Sequence, residues 1–314
     1  MKDSMKDSMK EFLKMFPNTT EGFGKSIDGY NYFAYVKLYI YYLKQGINKL
    51  KPMPEKLIYP EGERYRAVDD IVQANIRYVN PKLTRRETSV YHGKILRPQD
   101  AKKILSLNVD VDRPQLPESI LPYPIARDFI LKSPDHICVV DCACRSVKAD
   151  GCYPRDVCMI VGEPFVSFIM DHGQDSHPRI ITREEALAII DAEHERGHVH
   201  TAFFKDAMGD RFYAICNCCS CCCNSMAAYK YANAPIFAAS GYVRTTTDNC
   251  IGCGSCVEIC PFDALALVEG KAVVDTVRCV GCGKCEAQCK NDGVILQLDP
   301  GKGEPLDMDI LLAQ

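Results

Sequence analysis

The segment Cys250-Ile251-Gly252-Cys253-Gly254-Ser255-Cys256-Val257-Glu258-Ile259-Cys260-Pro261 is answered 29 residues later by Cys279-Val280-Gly281-Cys282-Gly283-Lys284-Cys285-Glu286-Ala287-Gln288-Cys289-Lys290. Each copy reads Cys-x₂-Cys-x₂-Cys-x₃-Cys, and together they use eight of the nineteen cysteines. Three thiolates at i, i+3 and i+6 on a tight loop can wrap one face of an iron–sulfur cube, while the fourth, on the following turn, points away and ligates the other cube. The duplication predicts two [4Fe–4S] clusters with crossed ligation. Cys250, Cys253, Cys256 and Cys289 hold one; Cys279, Cys282, Cys285 and Cys260 hold the other.

These residues resemble the bacterial two-cluster ferredoxin module over roughly residues 242 to 298. The resemblance implies a ferredoxin-like domain with a pseudo-twofold repeat. Glycines belong in both loops because backbone N–H groups must approach the sulfides without a Cβ in the way. Pro261-Phe262 has the counterpart Lys290-Asn291. The second half lacks the stiffening proline and is expected to be the wetter one, with its cluster shifted in potential. A zinc ribbon would want two Cys-x₂-Cys pairs separated by a longer gap, which continuous triplets do not provide.

At 314 residues and 47% hydrophobic content the chain can form packed cores. The formal net charge of −3 counts thiols as neutral; two clusters with their thiolates bring it to about −7. Such an acidic carrier suits a basic docking patch on a redox partner protein, and no lysine or arginine cluster points to nucleic acid. The start, Met1-Lys2-Asp3-Ser4-Met5-Lys6-Asp7-Ser8, is a charged tandem repeat rather than an apolar signal segment. Cluster cysteines must stay reduced, so the expected setting is the cytoplasm of an anaerobe.

The expected fold class is α+β, in four segments. Residues 1–29 read as poorly ordered and 30–135 as a helical region. Residues 136–240 read as a mixed α/β cysteine-rich domain and 241–314 as the ferredoxin domain with a tail that packs back on the body. In the third segment, His136-Ile137-Cys138-Val139-Val140 and Arg211-Phe212-Tyr213-Ala214-Ile215 read as strands, which makes Cys138 a core residue. Between them Thr182 and Glu185 form a capping box for a helix that Gly197 ends.

Each strand leads into cysteines: Cys142, Cys144, Cys152 and Cys158 after the first, and Cys216, Cys218, Cys219, Cys221, Cys222 and Cys223 after the second. These ten thiols are too many for one zinc, and packing does not explain them. They are read as ligands of one or two further iron–sulfur clusters, with zinc knuckles as the alternative. The adjacent pairs Cys218-Cys219 and Cys222-Cys223 are similar to those of heterodisulfide-reductase-type subunits, but Ser220 and Asn224 stand where that signature has glycine. From about residue 118 onward the chain also resembles a group of uncharacterised four-iron–four-sulfur binding proteins, on Cys-x-Cys-Arg145, Cys158 followed by Val161-Gly162-Glu163, and the Cys-Asn-Cys-Cys-x-Cys-Cys-Cys run. That resemblance implies an extra iron–sulfur domain fused to a ferredoxin and supplies no reaction.

Arg145 is read either as a donor to cluster sulfur or as an ion-pair partner of Asp141 or Asp150. His194, His198 and His200 read as surface residues, because Gly197 breaks any shared helix face. Gly22-Phe23-Gly24-Lys25-Ser26 resembles the end of a P-loop, but Thr19 occupies the first glycine position. The segment Tyr30 to Leu43, with seven aromatic residues in fourteen, reads as one helix with Asn31, Ala34, Lys37, Lys44 and Asn48 on its polar stripe. It is too short and too basic to span a bilayer. Burial is its expected role; a docking face or a peripheral membrane contact through residues 30–45 is the alternative. No catalytic residue is assigned. The expected function is single-electron transfer through two or more [4Fe–4S] clusters. A wiring subunit of a larger oxidoreductase, or a reductase with a substrate-binding cluster, competes with it.

Overall fold

The structure is a computed structural model that describes residues 23–79 and 90–313, together with Lys10 and Lys14. Helices α1 (Phe23–Ala34), α2 (Val36–Asn48), α3 (Glu63–Arg66) and α4 (Asp69–Val79) come first. The chain then alternates through β1 (Tyr91–Leu96), α5 (Pro98–Leu105), β2 (Val111–Arg113), β3 (Phe129–Asp141), α6 (Ala143–Ser146), β4 (Asp156–Glu163) and α7 (Phe165–His172). It continues with β5 (Arg179–Ile181), α8 (Arg183–Glu195), β6 (Val199–Lys205), β7 (Arg211–Cys218), α9 (Asn224–Ala232) and β8 (Phe237–Ala238). The last part comprises β9 (Tyr242–Thr246), α10 (Ser255–Glu258), β10 (Leu265–Val268), β11 (Lys271–Val274), α11 (Lys284–Ala287), β12 (Val294–Leu298) and α12 (Met308–Ala313). The chain is α+β, as expected.

One sheet runs β2-β3-β4-β7-β6-β1-β8, with β5 also on β3. Its neighbours are antiparallel except the short β1–β8 pair. Both faces are covered, which is why β6 is buried at every position and shows no polar alternation. Alternation along β3 instead divides two apolar layers. Cys138 and Val140 face the aromatic helices; Ile137 and Val139 face Ile181, Ile190 and the tail residues Met308 and Leu311.

Burial of the aromatic segment is as expected, while other expectations about the N-terminal half are corrected. Residues 23–29, grouped with the poorly ordered start, lie inside α1; the rest of that stretch is outside the described residues, save Lys10 and Lys14. The aromatic segment is two helices, because Tyr35 leaves the helical conformation at φ −136° and ψ 42°. Its rings are core: Phe33 packs on Phe165 and Tyr213 with centroids 5.9 and 5.8 Å apart. Among residues 30–45 only Gln45 is exposed, so no apolar face is left for membrane contact. The polar stripe is also largely interior, with Asn31, Ala34 and Lys44 buried.

Residues 30–135 are therefore not a helical unit. They supply β1, β2 and the start of β3 to the sheet. β1 escaped notice because it is buried on both faces while carrying His92, Gly93 and Lys94. A Cβ on Gly93 would come within 2.3 Å of Thr201 on the neighbouring strand, so glycine is what allows the pairing.

Lys94 is 1% exposed. Its Nζ donates to the carbonyls of Ile120 at 2.9 Å and Glu304 at 2.7 Å, which pins the C-terminal tail to the sheet. Burial pulls its pKa from the usual lysine range down to about 7. Between about pH 7 and 10 the unfolded chain binds the proton that the folded chain has lost, so Lys94 makes stability rise with pH across that window. Replacing Lys94 with Met leaves two buried carbonyls without a donor. The expected cost is roughly 2–4 kcal/mol, read by denaturant unfolding, with faster hydrogen exchange around residues 304–311. The variant's unfolding free energy should rise less between pH 7 and 10 than that of the unchanged protein; an equal rise contradicts the assignment.

Candidate cluster sites

The two cysteine triplets sit on loops with the same backbone. Gly252 and Gly281 have φ of 67° and 66°, and Gly254 and Gly283 have φ of 83° and 81° as they lead into α10 and α11. A Cβ on Gly252 would meet the Gly270 carbonyl at 2.0 Å, and one on Gly281 would meet that of Tyr242 at 2.2 Å. Each loop frames a cavity. One of about 380 Å³ is lined by Cys250, Cys253, Cys256 and Cys289. The other, of about 370 Å³, is lined by Cys260, Cys279, Cys282 and Cys285. Three sulfurs from one loop and one from the other therefore border each space. Backbone N–H groups of Gly293 and Ala264 point at Cys289 Sγ and Cys260 Sγ, at 3.2 and 3.4 Å.

Arg244 on β9 lines both cavities. It is 1% exposed, with Nη1 donating to the Ala272 carbonyl at 2.9 Å and to Thr246 Oγ1, and Nη2 lying 3.9 Å from Cys256 Sγ. A fixed cation between two sets of thiolates offsets their mutual repulsion. Cysteine spacing gives no hint of it.

The cavities differ in wetness, opposite to the expected sense. The turn Lys290-Asn291 is exposed, but it carries Cys289, which borders the first cavity. Cys253 is exposed as well, and N–H donors hold two thiols there below their usual range, those of Ala272 and Gly252 acting on Cys250 and that of Ser255 on Cys253, while burial raises Cys256. The second triplet docks on the body, where Ser240 donates from N to the Val280 carbonyl and from Oγ to that of Gly281. Burial pushes the Cys282 thiol up to about 12, and that of Cys285 up as well.

In the second cysteine field, β3 and β7 are each antiparallel to β4, so both end at one sheet edge. Cys142 caps α6 just after β3, Cys158 lies on β4 opposite Val140, Cys216 and Cys218 end β7, and Cys223 caps α9. The ten expected ligands divide there into two groups. Six form an open ring of contacts, with Cys216 and Cys218 at its two ends: Cys144 with Cys142 and Cys223, Cys142 with Cys158, Cys158 with Cys216, and Cys223 with Cys218. The other four, Cys152, Cys219, Cys221 and Cys222, have all their sulfurs within 4.8 Å of one another. Cys138 stands apart in the core, 3.7 Å from Met170 Sδ.

A buried cation faces the ring. Lys44 Nζ is 3.2 Å from Glu55 Oε2; burial opposes its charge, but Cys144 and Glu55 keep its pKa raised. Thiol donation from Cys142 and Cys223 holds Cys144 well below the ordinary range against burial, with Lys44 and the Asn224 N–H adding to it. Three tyrosines, Tyr32, Tyr91 and Tyr213, flank Cys216, with the Tyr32 and Tyr213 hydroxyls 2.9 Å apart. Neither Lys44 nor this hydroxyl group was legible in the sequence.

Arg145 is not the expected ion-pair partner of Asp141 or Asp150, which pair with Lys37 and Lys148. It is fully buried, and its guanidinium donates to Glu193 Oε2 at 2.5 Å, the Asn217 carbonyl at 3.1 Å and the Pro154 carbonyl. It thereby ties α6, α8 and β7 together beneath the cysteines. The histidines are not a surface set either. His198 Nδ1 is 2.6 Å from Glu193 Oε2, and His200 is buried against Asn217 Oδ1 at 2.6 Å, with burial pulling its pKa down to about 4.

Residues 243–266 match the 4Fe-4S binding domain family. Ferredoxin-2 of Desulfomicrobium norvegicum is 53% identical over 34 residues, which cover 10% of this chain. The chain spans only 58% of the length of that ferredoxin. No solved structure matches. The C-terminal part thus carries a ferredoxin-like 4Fe–4S module. Among the described residues, no helix is long and apolar enough to cross a membrane.

The Arg145–Glu193 pair yields a test. Glu193 is fully buried; burial opposes its charge, but His198 and Arg145 hold its carboxyl below the usual range. The stability it contributes is present above the ordinary glutamate value of about 4.3 and is lost as pH falls through the depressed folded value. Glu193→Gln leaves Arg145 buried without its counter-charge, for an expected loss of about 3–5 kcal/mol near neutrality. The difference between the two proteins in denaturant unfolding should hold from pH 5 to 8 and shrink below about pH 4. No difference at pH 7 contradicts the pairing.

Proposed function

We propose that this protein transfers single electrons through at least three iron–sulfur clusters. Two [4Fe–4S] clusters occupy the C-terminal module with crossed ligation and a pseudo-twofold relation. One is held by Cys250, Cys253, Cys256 and Cys289, the other by Cys260, Cys279, Cys282 and Cys285. The observation that carries this is the lining of the two cavities, each by three cysteines of one loop and the fourth of the other. The donor set suits a cube: four soft thiolates, glycine loops with no room for a Cβ, and N–H groups aimed at sulfur. When bound, the clusters supply the one-electron couple; the chain holds them, limits water and sets the charge around them through Arg244.

The third cluster lies in the ring of Cys142, Cys144, Cys158, Cys216, Cys218 and Cys223. Cys279 and Val280 share one apolar core with Cys218 and Cys223. Phe262, two residues after Cys260, packs edge-on against Tyr229 of α9 with centroids 5.6 Å apart. The drier cavity of the module therefore faces the ring through packed side chains. Electrons enter or leave at the exposed Cys253 end, where redox partner proteins dock, and pass inward to the ring. A reducing, cytoplasmic setting fits so many free thiols.

The test uses full-length protein purified without oxygen. It should hold about twelve irons and twelve sulfides, the content of three cubes. Cys260→Ala should damage the cluster carried by Cys279, Cys282 and Cys285 and leave the one in its own loop, as seen by paramagnetic resonance after reduction. Loss of the nearer cluster overturns the crossed ligation. A content of about eight irons overturns the cluster in the ring.

A further inference from the structure

We propose that Cys152, Cys219, Cys221 and Cys222 bind a single tetrahedral zinc ion, a structural site separate from every iron–sulfur cluster of this chain. Sulfur spacing decides it. Four thiolates on one ion with bonds of about 2.3 Å lie about 3.8 Å apart. Four thiolates on the irons of a cube lie roughly 6 Å apart, since each sits one bond outside a corner. All four sulfurs here fall within 4.8 Å of one another. Cys222 Sγ is 3.6 Å from the sulfurs of both Cys152 and Cys221, and the latter two are 2.7 Å apart. The two 3.6 Å separations match one ion and not a cube, and the Cys152–Cys221 pair, closer than either arrangement wants, opens by about 1 Å to take the ion. The set is also closed, with four protein donors and no position left for substrate, as in structural zinc sites.

The surroundings are built for such a centre. Gly151 presses against α6 so tightly that a Cβ would come 1.9 Å from the Arg145 carbonyl, which fixes the position of Cys152 beside it. The Cys152 N–H points at Cys222 Sγ at 3.4 Å. Zinc(II) taking four thiolates forms a dianionic centre and releases the protons of the thiols it binds. Cations stand ready for that charge. Lys148 donates to the Cys221 carbonyl at 3.2 Å, although Asp150 lies 3.5 Å from its ammonium. The side chain of Lys284 passes Gly197 and, though burial lowers its pKa and its stronger partners are Cys282 and Cys260, also lies within the field of Cys221. The ion would staple the loop before β4 to the loop after β7. That leaves the other six thiols free of this site, whether or not they carry iron.

The experiment measures zinc, iron and sulfide in full-length protein purified without oxygen or added metal. The expected result is one zinc per chain, and a zinc X-ray absorption edge that reports four sulfur neighbours at about 2.3 Å. Replacing Cys152 and Cys221 together with Ala should remove the zinc while the iron and sulfide of the ferredoxin clusters are unchanged. If that variant fails to fold, the absorption measurement on the unaltered protein still decides. A zinc-free protein overturns the proposal, whether a cube, a lone iron or a Cys152–Cys221 disulfide takes the sulfurs. So does a variant that loses about four irons with their sulfide. A zinc-bearing protein with only eight irons would sink the cluster in the ring and leave the zinc site standing.

Discussion

Two strands that each run antiparallel to a third must run parallel to one another, and the placement of the central thiols follows from that. β4 lies between β3 and β7 and opposes both. Cysteines that follow β3 and β7, some seventy residues apart in the chain, therefore emerge at the same edge, beside the start of β4. Close pairing of β6 with β7 brings Val199 opposite Cys218 and adds the histidine-bearing strand to this edge. Without this arrangement the ten thiols would be two unrelated loops.

Burial of cations is the second theme. Thiolates and cluster charge are tolerable inside a protein only when opposite charge is held close. Arg244 lies between the two cavities of the module, and Lys44 beside the ring. Arg145 lies beneath the second cysteine field. Each is 2% exposed or less. Each also makes contacts that orient it, so the cation is positioned before any metal arrives. The cysteine-rich regions are in this sense electrostatic assemblies built around a few guanidinium and ammonium groups.

A 4Fe–4S binding module at the C-terminal end was legible because the spacing of cysteines within a loop is local information. So were the strands around Cys138 and Tyr213, the Thr182 cap, which accepts from the Glu185 N–H at 3.2 Å, and the return of the tail. What escaped depends on long-range partners. β1 carries a lysine and a histidine that only a tertiary hydrogen bond or ring stack can make acceptable in a core, as when His92 stacks on Tyr123 at 3.7 Å. The aromatic segment has a helical pattern throughout, and nothing local announces the break at Tyr35. The division of ten cysteines into six and four is set by contacts between loops far apart in the chain, such as Cys152 with Cys221 and Cys222, which no periodicity records. The wetter half was misplaced because the fourth cysteine carries the character of its own turn into the opposite cavity.

The chain enters the module at Gly241 and leaves it near Pro305, and these two points touch: a Cβ on Gly241 would lie 2.6 Å from the Pro305 nitrogen. The Asp299 N–H also donates to the Gly241 carbonyl at 3.0 Å. Both ends are thus clasped at one place, and the residues beyond are sewn into the body through Lys94. A module held this way is a drawer closed on its cabinet rather than a pendulum on a cord. The spacing between its drier cavity and the cysteine ring is set by packing, not by diffusion of a tethered domain. Under the proposed function, electron hopping across that gap would have a single rate instead of the spread that a swinging carrier produces.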